Sequence, residues 1–293
     1  MQGVIIENIS NIYKVKIKDK IYTTTARGKL KKNEITPVVG DYVKVTVEDE
    51  KNKIAVIEKI EDRKNYIKRP KIANITQIIL VLSSKNPKPD LLMLDKQLAF
   101  AEYIGIKAII VLNKTDLDKS EEFRKIKNIY NQIGYTVVLT EAKNGIGIEE
   151  LKKYLEGNIN AFSGNSGVGK STLINKLFDR EMTLEGEISK KNKKGKNTTT
   201  AIKLYEINNN TYIADTPGFA TFDICEIESK ELYKYFREFP QYEKDCEFIG
   251  CTHIKEKECG IKNAVQNKQI NNDRYVRFCK IYNELKEKEE RKW

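Results

Sequence analysis

The sequence predicts three unlike parts in succession: an all-β barrel, a central α/β domain with a largely parallel sheet, and a mostly helical C-terminal segment around a Cys/His cluster. Three observations carry this. Short β-branched or alternating segments fill residues 1–65. Continuous apolar strands alternate with helical patterns over residues 66–225. Residues 226–293 turn helical and hold four of the five cysteines.

In the first part, Val4–Ile9, Tyr13–Ile17, Ile21–Thr25, Tyr42–Val47 and Lys53–Ile60 are separated by Asn, Gly or Asp. Five short strands in this length make the five-stranded OB barrel the first candidate. In Tyr13–Lys20 the period is two: Val15 and Ile17 point one way, and Lys14, Lys16, Lys18 and Lys20 the other. Such a face suits a phosphate backbone or plain solvent. Glu61–Lys71 is charged, contains Arg69-Pro70 and reads as a linker.

In the second part, strands are expected at Gln77–Leu82, Lys107–Leu112, Tyr135–Leu139, Asn160–Ser163, Ile202–Ile207 and Thr211–Ala214. Helical patterns fall at Leu91–Tyr103, Glu121–Ile133 and Ile148–Leu155, with another beginning near Gly169. This alternation predicts a sheet covered on both faces. Lys190–Lys196 (KKNKKGK) reads as a mobile basic loop. In the third part, Tyr275, Phe278, Tyr282 and Leu285 make one apolar stripe along Asp273–Glu290.

Composition narrows the classes. No apolar run approaches the about 18–20 residues that span a bilayer, and the N-terminus lacks a signal-peptide pattern. An odd number of cysteines, five, argues against a secreted disulfide framework. A cytoplasmic protein is expected. The net charge of +11 is spread along the chain and suits a polyanionic partner, nucleic acid being the commonest; a Lys-, Ile- and Asn-rich proteome would give the same balance.

Gly164-Asn165-Ser166-Gly167-Val168-Gly169-Lys170-Ser171 fits the phosphate-binding loop G-x-x-x-x-G-K-[ST], after a strand and before a helix, and runs on into Thr172. Glycines let consecutive N–H groups converge on phosphate oxygens. The helix N-terminus adds positive potential. Lys170 offers a point charge to β- and γ-phosphates, and Ser171 a hydroxyl to Mg²⁺.

Asn113-Lys114-Thr115-Asp116 follows a strand at the end where open α/β sheets bind ligands. The Asp116 carboxylate can accept hydrogen bonds from guanine N1–H and the 2-amino group. Adenine would leave a buried carboxylate unpaired. The site is therefore read as one for GTP/GDP with Mg²⁺. Asp215-Thr216-Pro217-Gly218 follows another strand. Asp215 suits Mg²⁺, often through water, and Gly218 N–H suits the γ-phosphate. Among Thr198, Thr199 and Thr200, Thr199 is the favoured γ-phosphate sensor. The guanine motif precedes the phosphate loop, the reverse of common small GTPases; the same parts can make the same site if the sheet is circularly permuted. Thr140-Glu141-Ala142-Lys143 resembles the second base-contacting loop, with Glu141 where Ser is usual.

Cys246, Cys251, His253 and Cys259 supply three thiols and the only histidine. Cys₃His suits one tetrahedral, structural Zn²⁺; unliganded cysteines and redox chemistry are the alternatives. Cys225 and Cys279 fall outside the cluster and are expected to pack as small apolar residues.

Taken together, NKTD, then GNSGVGKST, then TTT, then DTPG, then C-x4-C-x-H-x5-C after a small barrel, the chain resembles the circularly permuted, ribosome small-subunit-dependent GTPase A family of bacterial ribosome assembly factors. The resemblance covers nearly the whole chain. It implies an OB barrel at 1–65, a permuted GTPase domain at 66–225 and a zinc-binding helical domain at 226–293. It further implies GTP hydrolysis stimulated by the small ribosomal subunit, a role in late maturation of that subunit, and contacts of both flanking domains with its rRNA. A monomer without membrane attachment is expected. Two positions depart from the pattern. Phe219 stands where many GTPases carry a water-orienting Gln, and Asn197 where family members commonly carry a His. A GTP-gated RNA-binding module with negligible hydrolysis is the alternative.

Overall fold

The computed structural model describes residues 1–27, 36–68, 70–178, 202–208, 210–215 and 226–291. The chain divides into two compact units. The first comprises Met1–Ile79, Ala142–Gly164 and the described part of Lys170–Ala220; the second comprises Leu80–Glu141, Asn165–Gly169 and the described part of Thr221–Trp293.

The first unit opens with β1 (Gln2–Ile9), β2 (Ile12–Ile17), β3 (Lys20–Ala26), β4 (Tyr42–Asp49) and β5 (Ile54–Ile60). Antiparallel pairs β1–β2, β2–β3 and β4–β5, a parallel pair β3–β5, and an antiparallel β1–β4 pair close a five-stranded barrel. Alternation does the work here: Ile5, Val15, Val43 and Ile57 are fully buried, as is the ring of Tyr13.

The expected basic face on β2 is only partly a free surface. Lys14 donates to Thr23 Oγ1 at 2.8 Å, Lys20 to Glu50, and Lys16 pairs with Glu206. Segment 61–71 is not a loose linker either. It forms a short hairpin, β6 (Tyr66–Lys68) with β7 (Lys71–Ala73). Arg63 holds the fully buried Asp41 through two bonds of 2.7 and 2.8 Å, and Asp41 also accepts from Val38 N–H. Charge read as solvation is here spent on a buried carboxylate.

The same unit carries β11 (Ile159–Ser163), β12 (Lys203–Asn208) and β13 (Thr211–Asp215), with α3 (Ile148–Leu155) and α4 (Lys170–Leu177). Strands β11 and β13 are parallel. Strand β12 is antiparallel to β13, and β1 is antiparallel to β12, so the sheet is mixed rather than uniformly parallel. A β-hairpin reverses the chain at Asn210, whose φ is +61°. The barrel thus hydrogen-bonds onto β12 directly, and Lys203–Glu7 (3.5 Å) and Lys16–Glu206 flank the seam.

Strand β8 (Gln77–Ser83) begins in the first unit and ends in the second. It is buried along its whole length, as a strand covered on both faces must be. The second unit adds α1 (Leu91–Tyr103), β9 (Lys107–Asn113), α2 (Glu122–Gln132) and β10 (Thr136–Thr140). Strands β9 and β10 are parallel, Leu112 against Leu139. Asp90 caps α1 by accepting from Met93 N–H at 2.9 Å.

The C-terminal part of the second unit consists of 3₁₀ segments Ser229–Tyr235 and Pro240–Asp245, then α5 (Gly260–Gln266) and α6 (Asn272–Glu290). The stripe expected on α6 packs inward: Phe278, Tyr282 and Leu285 are buried. Phe278 meets Phe236 and Phe239 with ring centroids 5.2 and 4.9 Å away. Beside this apolar core lies an ionic one. Arg274, 1% exposed, pairs with buried Asp95 of α1 and with Glu238. Arg277 also pairs with Asp95, and Tyr130 of α2 donates to it at 2.6 Å. Among the described residues no helix is long and apolar enough to cross a membrane.

Candidate nucleotide site and metal cluster

Strand β9 delivers Asn113 to its carboxyl end, where the side chain is 1% exposed. Its Nδ2 donates to Val168 O in the phosphate loop at 2.9 Å, and its Oδ1 accepts from the buried Thr140 hydroxyl at 3.0 Å. The Val168 carbonyl, which can only accept, fixes which way the amide faces. The next residue, Lys114, sits at φ +64° and turns its side chain back along the loop. Its Nζ donates to Gly167 O and Asn86 O, each at 2.7 Å. Ser84 donates to Lys114 O at 2.7 Å and holds the turn from beneath.

This close docking explains Gly169. A Cβ there would stand 2.3 Å from Asn113 Nδ2, and the backbone has φ +100°. No other residue fits both demands. Asn113, Lys114, Gly167, Val168 and Gly169 are therefore brought together as the sequence predicts. Thr115 donates to Glu141 at 3.1 Å, so Glu141 supports the guanine loop from the position where Ser is usual. Asp116 is exposed. The penalty that rejects adenine falls on it only when a base covers it.

In the first unit Gly164 follows β11, and Lys170, Ser171 and Thr172 open α4. The Lys170 ammonium donates to Gly164 O at 2.6 Å. Burial lowers its pKa from the usual lysine value, so an anion placed there would hold it charged. Asp215 ends β13, the parallel neighbour of β11, so both strands deliver their last residues to one end of the sheet. The Asp215 side chain, Asn197, Thr198, Thr199, Thr200, Thr216, Pro217, Gly218, Phe219, Cys225 and the Lys190–Lys196 loop lie outside the described residues.

Sequence reasoning placed Thr140 in the second base-contacting loop but not its bond to Asn113, and it missed Ser84 and Asn86. Neither of those two carried a signal, because their contacts depend on how loop 84–90 folds.

In the C-terminal part, the ligand atoms of Cys246, Cys251, His253 and Cys259 all lie within 4.8 Å of one another. His253 Nδ1 is 3.4 Å from Cys259 Sγ and 3.6 Å from Cys246 Sγ, and those two sulfurs are 4.0 Å apart. Tetrahedral Zn²⁺ with ordinary bond lengths needs about 3.6 Å for N···S and about 3.8 Å for S···S. The donor set fits zinc, held through Nδ1. Burial pushes the Cys251 thiol up to about 12 and raises that of Cys259 as well. Tyr275 donates to His253 O at 2.8 Å and Gly260 N–H to Cys246 Sγ at 3.3 Å. Glu256 accepts from Thr252, Ile254 and Lys255; burial opposes its ionisation, yet these donors outweigh it and hold its carboxyl down to about 2. Cys279 lies apart, half-buried on α6.

A family model described as RsgA GTPase matches residues 60–225, and one described as RsgA N-terminal domain matches residues 2–57. The chain belongs to the RsgA GTPase family. It is a GTP-hydrolysing enzyme of that family, which uses GTP, GDP and Mg²⁺. The small ribosomal subunit biogenesis GTPase RsgA of Clostridium novyi (strain NT) is 42% identical, with 100% of both chains covered. The protein of the same name from Alkaliphilus metalliredigens (strain QYMF) is 39% identical over 97% of this chain and 98% of its own. The crystal structure of YjeQ from Thermotoga maritima matches at 37% identity and TM-score 0.84, covering 97% of this chain and 98% of that one. That of YloQ, described as a circularly permuted GTPase, matches at 29% identity and TM-score 0.83, covering 98% and 95%. The RsgA match thus agrees with the permuted motif order and with the barrel.

Proposed function

We propose that this RsgA-family enzyme hydrolyses GTP as a switch in late maturation of the small ribosomal subunit, with turnover stimulated by that subunit. The observation that supports this best is the Asn113 amide clasped to Val168 O. It ties the loop that reads guanine to the loop that cradles phosphates. Asn113–Asp116 take the base, Gly164–Thr172 take the phosphates, and Lys170 neutralises β- and γ-oxygens. Ser171 and Asp215 hold Mg²⁺, which when bound screens charge on the phosphates. Thr199 and Gly218 sense the γ-phosphate. The closed Cys246, Cys251, His253 and Cys259 set holds one structural Zn²⁺.

Catalysis in this reading rests on positioning and electrostatics. Neither Phe219 nor Asn197 is a general base near neutral pH. Low unstimulated turnover follows, with the subunit supplying or ordering what is missing. The 1–65 barrel and the 226–293 segment flank the 66–225 GTPase domain, engage the small subunit and its rRNA, and act in the cytoplasm as parts of a monomer.

Phosphate release from GTP, measured with and without purified small subunits, tests this. Large subunits and free RNA are the controls. Stimulation by the small subunit alone is expected. Tight GTP binding without stimulation would favour a GTP-gated RNA-binding module instead, and fast turnover with no partner would contradict the catalytic reading.

A further inference from the structure

Between two ligands of the Cys/His cluster the chain runs Glu247-Phe248-Ile249-Gly250. Cys251 N–H donates to Phe248 O at 3.3 Å, and Gly250 has φ +79°. This is a tight turn with glycine where positive φ is demanded. Glu247 N–H donates to Glu258 O at 3.2 Å, which fixes the other side. The turn is therefore pinned at both ends, yet its tip is apolar and open. Ile249 is 108% exposed, more than any other large apolar side chain among the described residues, and Phe248 is 58% exposed. Together the two side chains make one contiguous apolar tip, and contiguous exposed apolar surface is what marks an interaction site.

The charge around the tip identifies the partner's chemistry. The exposed ionisable side chains over 243–258 are Lys244, Lys255 and Lys257 against Glu243, Asp245, Glu247 and Glu258. No positive excess exists here, although the whole chain carries +11. An RNA contact draws its affinity from clustered Lys and Arg. An apolar centre with a balanced polar rim is instead the anatomy of a protein–protein interface.

We infer that the Phe248-Ile249 turn docks into an apolar pocket on a protein, not on RNA. Resting on the proposed function, that protein is a component of the small-subunit particle. The turn is preorganised by the cluster, so little ordering is needed on binding.

The test is the double variant Phe248→Ser, Ile249→Ser of the full chain, with Ile249→Ser alone as the milder variant. Zinc content and thermal unfolding establish that each remains folded. Each is titrated against intact small subunits and against deproteinised small-subunit RNA. Affinity of the double variant for intact subunits should fall about tenfold or more. Binding to naked RNA and unstimulated GTP turnover should be unchanged. An equal loss on naked RNA would assign the turn to RNA and overturn the inference. No loss on either would do the same, as would a wild-type dimer that the variant abolishes. Should the wild type itself fail to bind intact subunits, the functional reading falls and takes the inference with it.

Discussion

The barrel and the C-terminal segment solve the same problem differently. In the barrel, alternation places Ile5, Val15, Val43 and Ile57 inside, and closure by β1–β4 leaves the core continuous. Each residue contributes a little and none is indispensable. The C-terminal segment has only two α-helices among its described elements, joined to 3₁₀ segments. It is held at points: the Cys/His cluster, and Arg274 between Asp95 and Glu238. Distributed burial fails gradually, whereas point chemistry fails at once.

That contrast can be broken most forcefully at the Cys/His cluster, where zinc is proposed to bind. Chelation, or Cys259→Ser, should unfold the region around 240–270, because structural zinc contributes about 10–16 kcal/mol in small domains. Hydrogen exchange should show protection lost there and kept in β1–β5. The next largest effect is expected from Arg274→Met, which leaves Glu238 without its buried partner and Asp95 with Arg277 and Tyr130 alone. It should cost about 3–5 kcal/mol in denaturant unfolding of the second unit. Replacing Arg274 and Glu238 together with apolar residues of similar volume, with Asp95 left to Arg277 and Tyr130, should recover part of that loss. The mildest is Ile57→Val in the barrel, at about 0.5–1.5 kcal/mol by the same measurement. Reversal of the last two magnitudes would mean that the barrel, too, depends on single residues.

The same division governs what could be read in advance. The barrel strands and α3 were legible because burial repeats with the period of the element, and β9 because an unbroken apolar run marks a strand covered on both faces. The meeting of Asn113 with the loop at Val168 and the gathering of three cysteines with His253 were legible because such motifs keep fixed residue types at fixed spacing. What was hidden depends on partners far away in sequence. Arg63 looked like part of a charged linker until Asp41 was seen beneath it. Arg274, which no sequence pattern singles out, is among the most buried side chains described. Lys16 looked free, but its partner Glu206 sits on β12, whose antiparallel course broke the expected parallel order. Thr140 was legible as part of a base-contacting loop, but its bond to Asn113 appears only once the two strand ends lie side by side.

The central claim is that Asn113–Asp116 and the phosphate loop form one guanine-nucleotide site. The most direct measurement exchanges Asp116 for Asn and compares turnover of GTP with that of xanthosine triphosphate. Xanthine carries an oxygen where guanine carries its 2-amino group, so an amide at position 116 can donate to it. The account predicts that Asp116→Asn loses at least about a hundredfold in kcat/KM for GTP, two hydrogen bonds to a charged group being worth about 1.5–3 kcal/mol each. It also predicts a gain with the xanthine nucleotide. Unchanged GTP turnover in this variant would contradict the account, since guanine would then be read elsewhere or not at all.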